Sequence, residues 1–300
     1  GCLLEVLGGE QVMRNRRNLR GTMTMIGVTA AAVVAVLFLT VQPSAAQNYM
    51  APRTADGQPD LNGIWQAVGS ASYDLEGHAA ATAPSLETGA LGGIPAGLGV
   101  VVGGEIPYKQ MSLAQRQANR ENQLSLDPAV RCYMPGVPRA NLMPYPFQIV
   151  QTPDYILFAY EFASASRIVY MSRPDFEAPA DSWMGHSRGR WNGETLTIDV
   201  DSQVPQTWLD SSGNYHGATT RVEERFTAMS ENHLIYEATI TDPDVYERPW
   251  TIRVPLYRRV DENMQLLEYK CVEFVEELMY GHLRKGYEGD RTGLPPLNPQ

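Results

Sequence analysis

The feature that most constrains the fold is a series of strand-like segments that starts at residue 147 and continues without an intervening helix. Each segment is rich in β-branched and aromatic residues, and turn sequences such as TPD, RPD, NG and DEN separate them. The segments are 147–151, 155–161, 167–171, 186–191, 194–201, 219–228, 233–241, 251–260 and 264–271. The pattern predicts a mainly β fold, an antiparallel up-and-down meander that closes into a lipocalin-like barrel with one or two short helices.

The first 46 residues have the pattern of a cleaved export signal. Arginines at 14, 16, 17 and 20 precede an apolar run from 26 to 41, and Ser44 and Ala46 suit cleavage before Gln47. The alternative is a membrane anchor, but this run is shorter than the roughly 20 residues that a spanning helix needs. The sequence therefore predicts a secreted or periplasmic protein without stable membrane insertion after cleavage.

The remaining residues, 47–300, are expected to form a single β-barrel domain. Its first part, 47–146, is irregular and rich in Gly and Pro, with a helix predicted at 112–124 and Ser112 as its N-cap. The second part, 147–271, is rich in strands. The sequence PDLNGIW at Pro59–Trp65 indicates the entry into a first strand within the irregular part. A helix-like segment at 272–283 is expected to pack beside the barrel.

The charge balance narrows the class of partner. The chain carries 34 acidic and 24 basic side chains and a formal net charge of −10. An acidic protein of this kind is repelled by phosphate backbones and by anionic membrane surfaces. The sequence thus argues against nucleic acid as a partner.

The cysteines indicate one disulfide. Cys2 falls in the predicted signal, so Cys132 and Cys271 remain, and two cysteines in an exported protein most simply pair. Neither has another Cys or a His within four residues, as a cysteine-based metal site would require. No metal and no cofactor is predicted.

The sequence GHSRG around Ser187 matches the G-x-S-x-G pattern of a hydrolase nucleophile. That nucleophile needs a strand leading in and a helix leading out. Here the motif is followed by RW, the turn NG and a second strand, which is a hairpin. We therefore interpret the match as accidental.

Glu224 is an unusual carboxylate because it lies on the side of its predicted strand that should face inward. In the strand TTRVEERF it shares a face with Val222 and Phe226, which should point inward. An inward carboxylate must be paired, hydrogen-bonded or protonated. It is either a structural salt bridge, with Arg167 or Arg190, or a general acid.

Two histidines are candidate partners of Glu224 in acid–base catalysis. His186 lies at the end of the predicted hairpin, and His216 lies in the turn DSSGNYHG. The sequence has no short-spaced histidine pair that would favour a metal. A hydrogen-bonding role for either histidine is the simpler alternative.

The aromatic residues suggest a ligand pocket. Most are expected to form the barrel core, since aromatic side chains favour strand pairing and burial. A subset could line a site at the barrel mouth, where small barrels hold a ligand. The candidate ligand-binding residues are Trp183, Trp191, Trp208 and Tyr160.

Several phrases taken together support a resemblance. They are TADGQPDLNGIW, CYMPGVPR, PYPFQIVQTPDY, GRWNGETLTIDV and LLEYKC. With them the chain resembles a family of uncharacterised secreted bacterial proteins over about residues 53–272. The resemblance implies export and pairing of Cys132 with Cys271, and it brings no established activity or catalytic residues. It also implies that the position of His186 can be acidic, and NGIW is similar to the Gly-x-Trp that begins lipocalin barrels.

Three functions are compatible with these patterns. The first is a secreted or periplasmic binding protein for a small apolar or aromatic molecule. The second is a cofactor-free acid–base enzyme of hydratase, isomerase or decarboxylase type, with Glu224 and His186 or His216 as its catalytic groups. The third is an envelope protein that binds other proteins through its surface, with a barrel filled by its own side chains and an exposed apolar patch.

Overall fold

The computed structural model describes residues 49–83 and 93–269. The strands are β1 Gly63–Ala67, β2 Phe147–Gln151, β3 Tyr155–Tyr160, β4 Ser166–Tyr170, β5 His186–Asn192, β6 Thr195–Asp201, β7 Arg221–Ser230, β8 His233–Thr241 and β9 Trp250–Arg258. The short helices are α1 Leu113–Glu121, α2 Gln123–Leu126 and α3 Arg139–Leu142. The predicted division of the chain at residue 46 lies outside the described residues, as does the predicted helix at 272–283.

The nine strands form a closed barrel, which confirms the predicted fold class. Eight of the nine predicted segments correspond to strands β2 to β9. The ninth prediction, 264–271, is wrong for its described part, because residues 264–269 form no strand. Instead β1 closes the barrel by pairing Trp65 with Arg258 of β9 and with Phe147 of β2, so the free edge of β9 is already occupied.

One strand pair departs from the predicted antiparallel meander. Strands β4 and β5 are parallel, with Val169 opposite Ser187 and Tyr170 opposite Arg188. Parallel neighbours need a connection that returns along the length of the strand, whereas antiparallel neighbours need only a turn. The long connection 171–185 provides that return. Part of this connection also covers the outer surface of β5.

The predicted hairpin at Asn192-Gly193 is present. Asn192 of β5 pairs with Thr195 of β6, so Gly193 and Glu194 form the tip. Gly193 has a φ of 59°, the left-handed conformation that glycine adopts without steric cost. This hairpin fixes the register in which β6 presents its side chains to the interior.

The barrel interior is filled by side chains of the described residues. Three aromatic rings are in contact across it. The ring centroids of Phe158 and Phe226 are 5.4 Å apart, and those of Phe226 and Tyr236 are 4.8 Å apart. Aliphatic side chains fill the remaining space from several strands. The following core residues are at most 1% exposed: Trp65, Phe147, Ile149, Phe158, Val169, Ile198, Phe226, Tyr236, Ile252 and Leu256.

The helix predicted at 112–124 is present but broken. It runs as α1 to Glu121 and resumes as α2 after Asn122, and Ser112 precedes it without a side-chain capping hydrogen bond. The third helix, α3, is a single turn in the Pro-rich segment and carries Asn141 and Leu142. Its four residues are all buried, which brings this irregular segment into contact with the barrel.

Candidate functional site

Glu224 lies inside the barrel, as its strand phase predicts. It stands on β7 between the inward-facing Val222 and Phe226, and its side chain is fully buried. A carboxylate at such a position requires compensating donors, because an unpaired buried charge is strongly unfavourable. The structure shows which residues supply them.

Three side chains donate hydrogen bonds to the Glu224 carboxylate. Arg167 of β4 binds both oxygens, with Nη1 2.5 Å from Oε2 and Nη2 3.1 Å from Oε1. Asn141 Nδ2 of α3 and the Tyr236 hydroxyl of β8 each donate to Oε1 over 2.8 Å. The structural interpretation, a salt bridge with Arg167, is therefore the one that the geometry supports.

These side chains and Tyr160 also hydrogen-bond to one another. We call the five residues the Glu224 network: Asn141, Tyr160, Arg167, Glu224 and Tyr236. The Tyr160 hydroxyl donates to Asn141 Oδ1 over 2.9 Å and accepts from Arg167 Nε over 3.1 Å. The Arg167 guanidinium also lies 4.5 Å from the centroid of the Phe158 ring. The candidate ligand-binding Tyr160 is thus a member of a buried polar network.

The charge states in this network follow from burial and pairing. Burial would lower the pKa of Arg167, but the Glu224 carboxylate outweighs burial and raises this pKa above its ordinary value. Burial raises the pKa of both Tyr160 and Tyr236. At neutral pH the arginine therefore stays charged, and both phenols keep the protons that they donate.

His186 lies outside this network. It is buried on β5, but Ser187 beside it points toward Arg167, so His186 faces the opposite side of the sheet. Its Nε2 is 2.7 Å from the carbonyl oxygen of Phe176, in the connection 171–185. The Tyr170 and Phe176 rings pack around it.

His216 lies in a second buried group, in the loop before β7. Its Nε2 is 2.6 Å from the Thr207 hydroxyl and 2.9 Å from Gln203 Nε2. Burial lowers the pKa of His216, so the ring is neutral at pH 7. The structure does not bring either histidine into hydrogen-bond contact with Glu224: among the described residues, the side chains that bind Glu224 are Arg167, Asn141 and Tyr236.

The predicted aromatic ligand site is also dispersed. Trp183 stacks on Tyr133 at 4.7 Å between ring centroids, and Trp191 is partly buried against the core. Trp208 is buried in the loop that carries His216, where its backbone pairs with that of Tyr215. These tryptophans pack in different parts of the fold and line none of the pockets described below.

Asp210 anchors the loop 208–216 from inside. Its carboxylate accepts hydrogen bonds from the backbone N–H groups of Leu75, Ser212 and Asn214 and from the Asn214 side chain. Burial and the nearby Asp74 carboxylate raise the pKa of Asp210 to about 7, and the hydrogen bonds from Asn214 and Leu75 offset part of this rise. Asp210 therefore titrates near neutral pH.

This titration predicts a pH-dependent stability. The pKa of Asp210 is about 7 in the folded state against an ordinary value of 3.8, so the folded state binds more protons between these values. The contribution of Asp210 to the free energy of unfolding is therefore present at low pH and is lost as pH rises from about 4 to 7. Urea unfolding of the wild type and of Asp210→Asn across this range should show a flatter dependence in the variant.

Asp175→Asn is the matched control for this experiment, because Asp175 is exposed in the connection 171–185. It should leave the pH dependence of the wild type unchanged. Equal pH profiles for the wild type and Asp210→Asn would contradict the prediction.

A pocket lies in the wall of the barrel where β1 ends. Strand β1 ends at Ala67, and beyond that point the segment 100–102 lies beside β9 in its place. Two backbone hydrogen bonds show this: Val102 N donates to Thr251 O, and Arg253 N donates to Val100 O. Between the end of β1 and this segment lies an opening of about 270 Å³, which we call the wall pocket. It is lined by residues 67–71, Asp74, residues 96–100, Leu142, Val254 and Pro255.

The wall pocket is formed by a close approach of backbone segments. Gly99 has a φ of 80°, and a Cβ atom there would lie 2.5 Å from the backbone nitrogen of Gly77. Only glycine fits, so the segment 96–100 can lie close enough to form one wall. No sequence pattern indicates this pocket, since the Gly-rich segment that forms its wall shows no periodicity.

A larger and more polar pocket lies on the outer surface of strands β5 to β8. Its volume is about 820 Å³, and its lining includes Arg188, Asp199, Asp201 and Glu223. These charges are largely paired with each other or with a neighbour: Arg188 with Asp201, and Arg190 with both Asp199 and Glu223. Asp175, Glu177 and Arg221 also line this surface, which is therefore strongly polar rather than apolar.

Three further features bear on the predicted chemistry. Among residues 49–83 and 93–269, no group of three or more His, Cys, Asp or Glu side chains is placed to hold a metal ion. Within this described part, none of the helices has the length and apolar character needed to span a bilayer. Cys132 follows the turn Pro128–Arg131, but Cys271 lies outside the described residues, so their pairing stays a prediction.

No protein-family model matches the chain, and no curated protein matches it.

Proposed function

We propose that this protein binds a small apolar or aromatic molecule in the wall pocket. The observation that carries the proposal is the character of the pocket lining. Val68 and Leu98 at its rim are largely exposed, while Leu142 and Val254 at its base are buried. A ligand between them would remove apolar surface from water, which is the main source of affinity in such sites.

The size and the polar groups of the pocket limit the ligand. Its volume of about 270 Å³ is close to the lower end of the roughly 300–1,000 Å³ typical of ligand pockets. Two polar side chains, Ser70 and Asp74, also line it. We therefore expect a compact, mainly apolar molecule that carries a hydrogen-bond donor.

The filled interior favours this site over the barrel lumen. The Glu224 network and the aromatic core occupy the space that a lipocalin-like ligand would take. The enzymatic alternative has less support, since the Glu224 carboxylate is bound by Arg167, Asn141 and Tyr236 rather than by a histidine. Binding at the wall is the function that the geometry supports best.

The proposal includes the location of the protein and its cross-link. We propose export to the periplasm or beyond, on the strength of the signal-like sequence before Gln47. We also propose that Cys132 pairs with Cys271, because an exported chain with two cysteines favours one disulfide. Both statements are supported by the sequence.

The test is binding of the fluorescent probe N-phenyl-1-naphthylamine, a small apolar aromatic amine. Val68→Asp places a charge at the rim of the pocket at a position that is 69% exposed, so folding should be unaffected. Because the charge would have to be desolvated when the probe binds, we expect affinity for the probe to fall by about tenfold or more, or about 1.4 kcal/mol. Fluorescence titration measures this change.

Val260→Asp is the matched control, because Val260 is 70% exposed and does not line the pocket. It should bind the probe like the wild type. Failure of the wild type to bind the probe, or equal affinity of Val68→Asp and the wild type, would overturn the proposal.

A further inference from the structure

Two neighbouring pockets form one continuous groove on the outer surface of the barrel. The first is the polar pocket of about 820 Å³ on strands β5 to β8, and the second has a volume of about 650 Å³. Their linings share Glu177, Arg188, Asp201, Arg221 and Thr241. We call the combined surface the acidic groove. Each of its two parts lies within the roughly 300–1,000 Å³ typical of ligand sites.

The connection 171–185 forms one wall of the acidic groove, and the strands form the other. This connection is held against β5 at the carbonyl oxygen of Phe176, which lies 2.7 Å from His186 Nε2 and accepts a hydrogen bond from Arg188 Nη1 over 3.2 Å. The Phe176 ring also packs against the rings of Tyr170 and His186. Both sequence neighbours of Phe176 line the groove, so their carboxylates stand beside an anchored backbone.

Carboxylates dominate the lining of the acidic groove. Those on the strands are paired with arginines, as for Asp201 with Arg188. The three on the connection, Asp175, Glu177 and Asp181, have no ion-pair partner within the part of the chain that the structure describes. Arg221 has none there either, so the unpaired groups of the lining carry three negative charges and one positive charge. A lining with this excess attracts a cation.

The carboxylates of the groove are spread out rather than convergent. Within the described ranges, no three His, Cys, Asp or Glu side chains are grouped so as to hold a metal ion. A divalent metal ion needs several oxygen ligands at roughly 2.0–2.6 Å. The arrangement therefore suits a cation whose charges are spaced along a chain.

A buried hydroxyl without a partner points to a ligand independently of the charges. Thr220 lines the acidic groove and is only 3% exposed, and its hydroxyl oxygen has no hydrogen-bond partner among the described residues. Buried polar groups almost always have a partner, because an unmade hydrogen bond costs free energy. An ammonium N–H of a ligand would satisfy this oxygen.

We propose that the acidic groove binds a linear organic polyamine, a small molecule with two or more ammonium groups spaced along an alkyl chain. Its ammonium groups pair with the carboxylates of Glu177 and Asp181, and one N–H donates to the Thr220 hydroxyl. Its alkyl chain lies beside Pro174 and Pro243, which line the two parts of the groove. The acidic groove shares no lining residue with the wall pocket, so this proposal does not depend on the proposed function.

The experiment is isothermal titration calorimetry of the full chain with spermidine, a linear triamine, at pH 7 and low ionic strength. We expect the wild type to bind spermidine in a one-to-one complex. The double variant Glu177→Gln/Asp181→Asn removes two unpaired carboxylates and keeps the shape of their side chains. Its affinity for spermidine should fall by about tenfold, because two exposed charge pairs with the ligand are lost. Thr220→Val, which replaces the hydroxyl with a methyl group, should lower the affinity by about fivefold.

Asp56→Asn/Asp154→Asn is the matched control, because it also removes two exposed carboxylates but neither of them lines the groove. The two double variants have the same net charge, and the control should bind spermidine like the wild type. The proposal is overturned if the wild type forms no one-to-one complex with spermidine. It is also overturned if both double variants weaken binding equally, since the attraction would then come from the net charge of the protein rather than from the groove.

Discussion

Arg167→Met should lower the free energy of unfolding by roughly 3–5 kcal/mol, the cost of leaving one member of a buried ion pair without its partner. Arg167 and Glu224 are both almost completely buried, and the arginine supplies two of the four hydrogen bonds that the carboxylate accepts. Methionine keeps much of the side-chain volume, so the loss reports on charge pairing rather than on a cavity. Urea unfolding followed by tryptophan fluorescence gives the difference.

The double variant Arg167→Met/Glu224→Gln separates pairing from packing. Removing both charges leaves no unpaired ion, so the double variant should be more stable than Arg167→Met alone. Arg190→Met is the control, because Arg190 pairs with Asp199 and Glu223 on the exposed surface. Exposed pairs contribute about 0–1 kcal/mol, and an equal loss in Arg190→Met would contradict the assignment.

Asp127→Ala should be destabilising by a similar amount, roughly 3–5 kcal/mol. Asp127 and Arg139 are both buried, and the two guanidinium nitrogens of Arg139 lie 2.7 Å from the two carboxylate oxygens. Removal of Asp127 leaves a buried guanidinium whose remaining hydrogen bond, within the described part of the chain, is to the Ser211 hydroxyl. It also removes the oxygen that accepts from Ala129 N at the start of the turn Pro128–Arg131.

The effect of Asp127→Ala should extend to ligand binding. Arg139 begins α3, and the same turn of helix carries Asn141 into the Glu224 network and Leu142 to the base of the wall pocket. We therefore expect Asp127→Ala also to weaken binding of N-phenyl-1-naphthylamine. Asp261→Ala, which breaks an exposed pair with Arg259, is the control and should change neither stability nor probe binding appreciably.

Strand positions and side-chain orientation could be predicted from the sequence, because both are local. A period of two residues assigns each side chain of a strand to one face, so the inward position of Glu224 followed from Val222 and Phe226. Its pairing with Arg167 was one of two alternatives, since Arg167 and Arg190 are both on strands. The side of the strand on which each arginine lies decides between the two partners: Arg167 faces the interior, and Arg190 faces solvent.

The closing strand could not be predicted with the same certainty. Both 63–67 and 264–271 have strand-like sequences, and a barrel of nine strands has room for only one of them beside β9. The choice depends on pairing between segments that are nearly 200 residues apart, such as Trp65 with Arg258. No local pattern encodes such a pairing, because it is the sum of packing and hydrogen bonds over the whole closed sheet.

By itself, the sequence determined that this protein is a β-barrel and that a carboxylate points into it, because alternation along a strand is a property of neighbouring residues. The tertiary structure alone decided which side chains bind that carboxylate and where a pocket opens in the barrel wall. Asn141 comes from a Pro-rich segment without periodicity, and the wall pocket exists because β1 ends where the segment 100–102 begins to pair. Both depend on distances between remote segments, which are fixed only when the barrel closes.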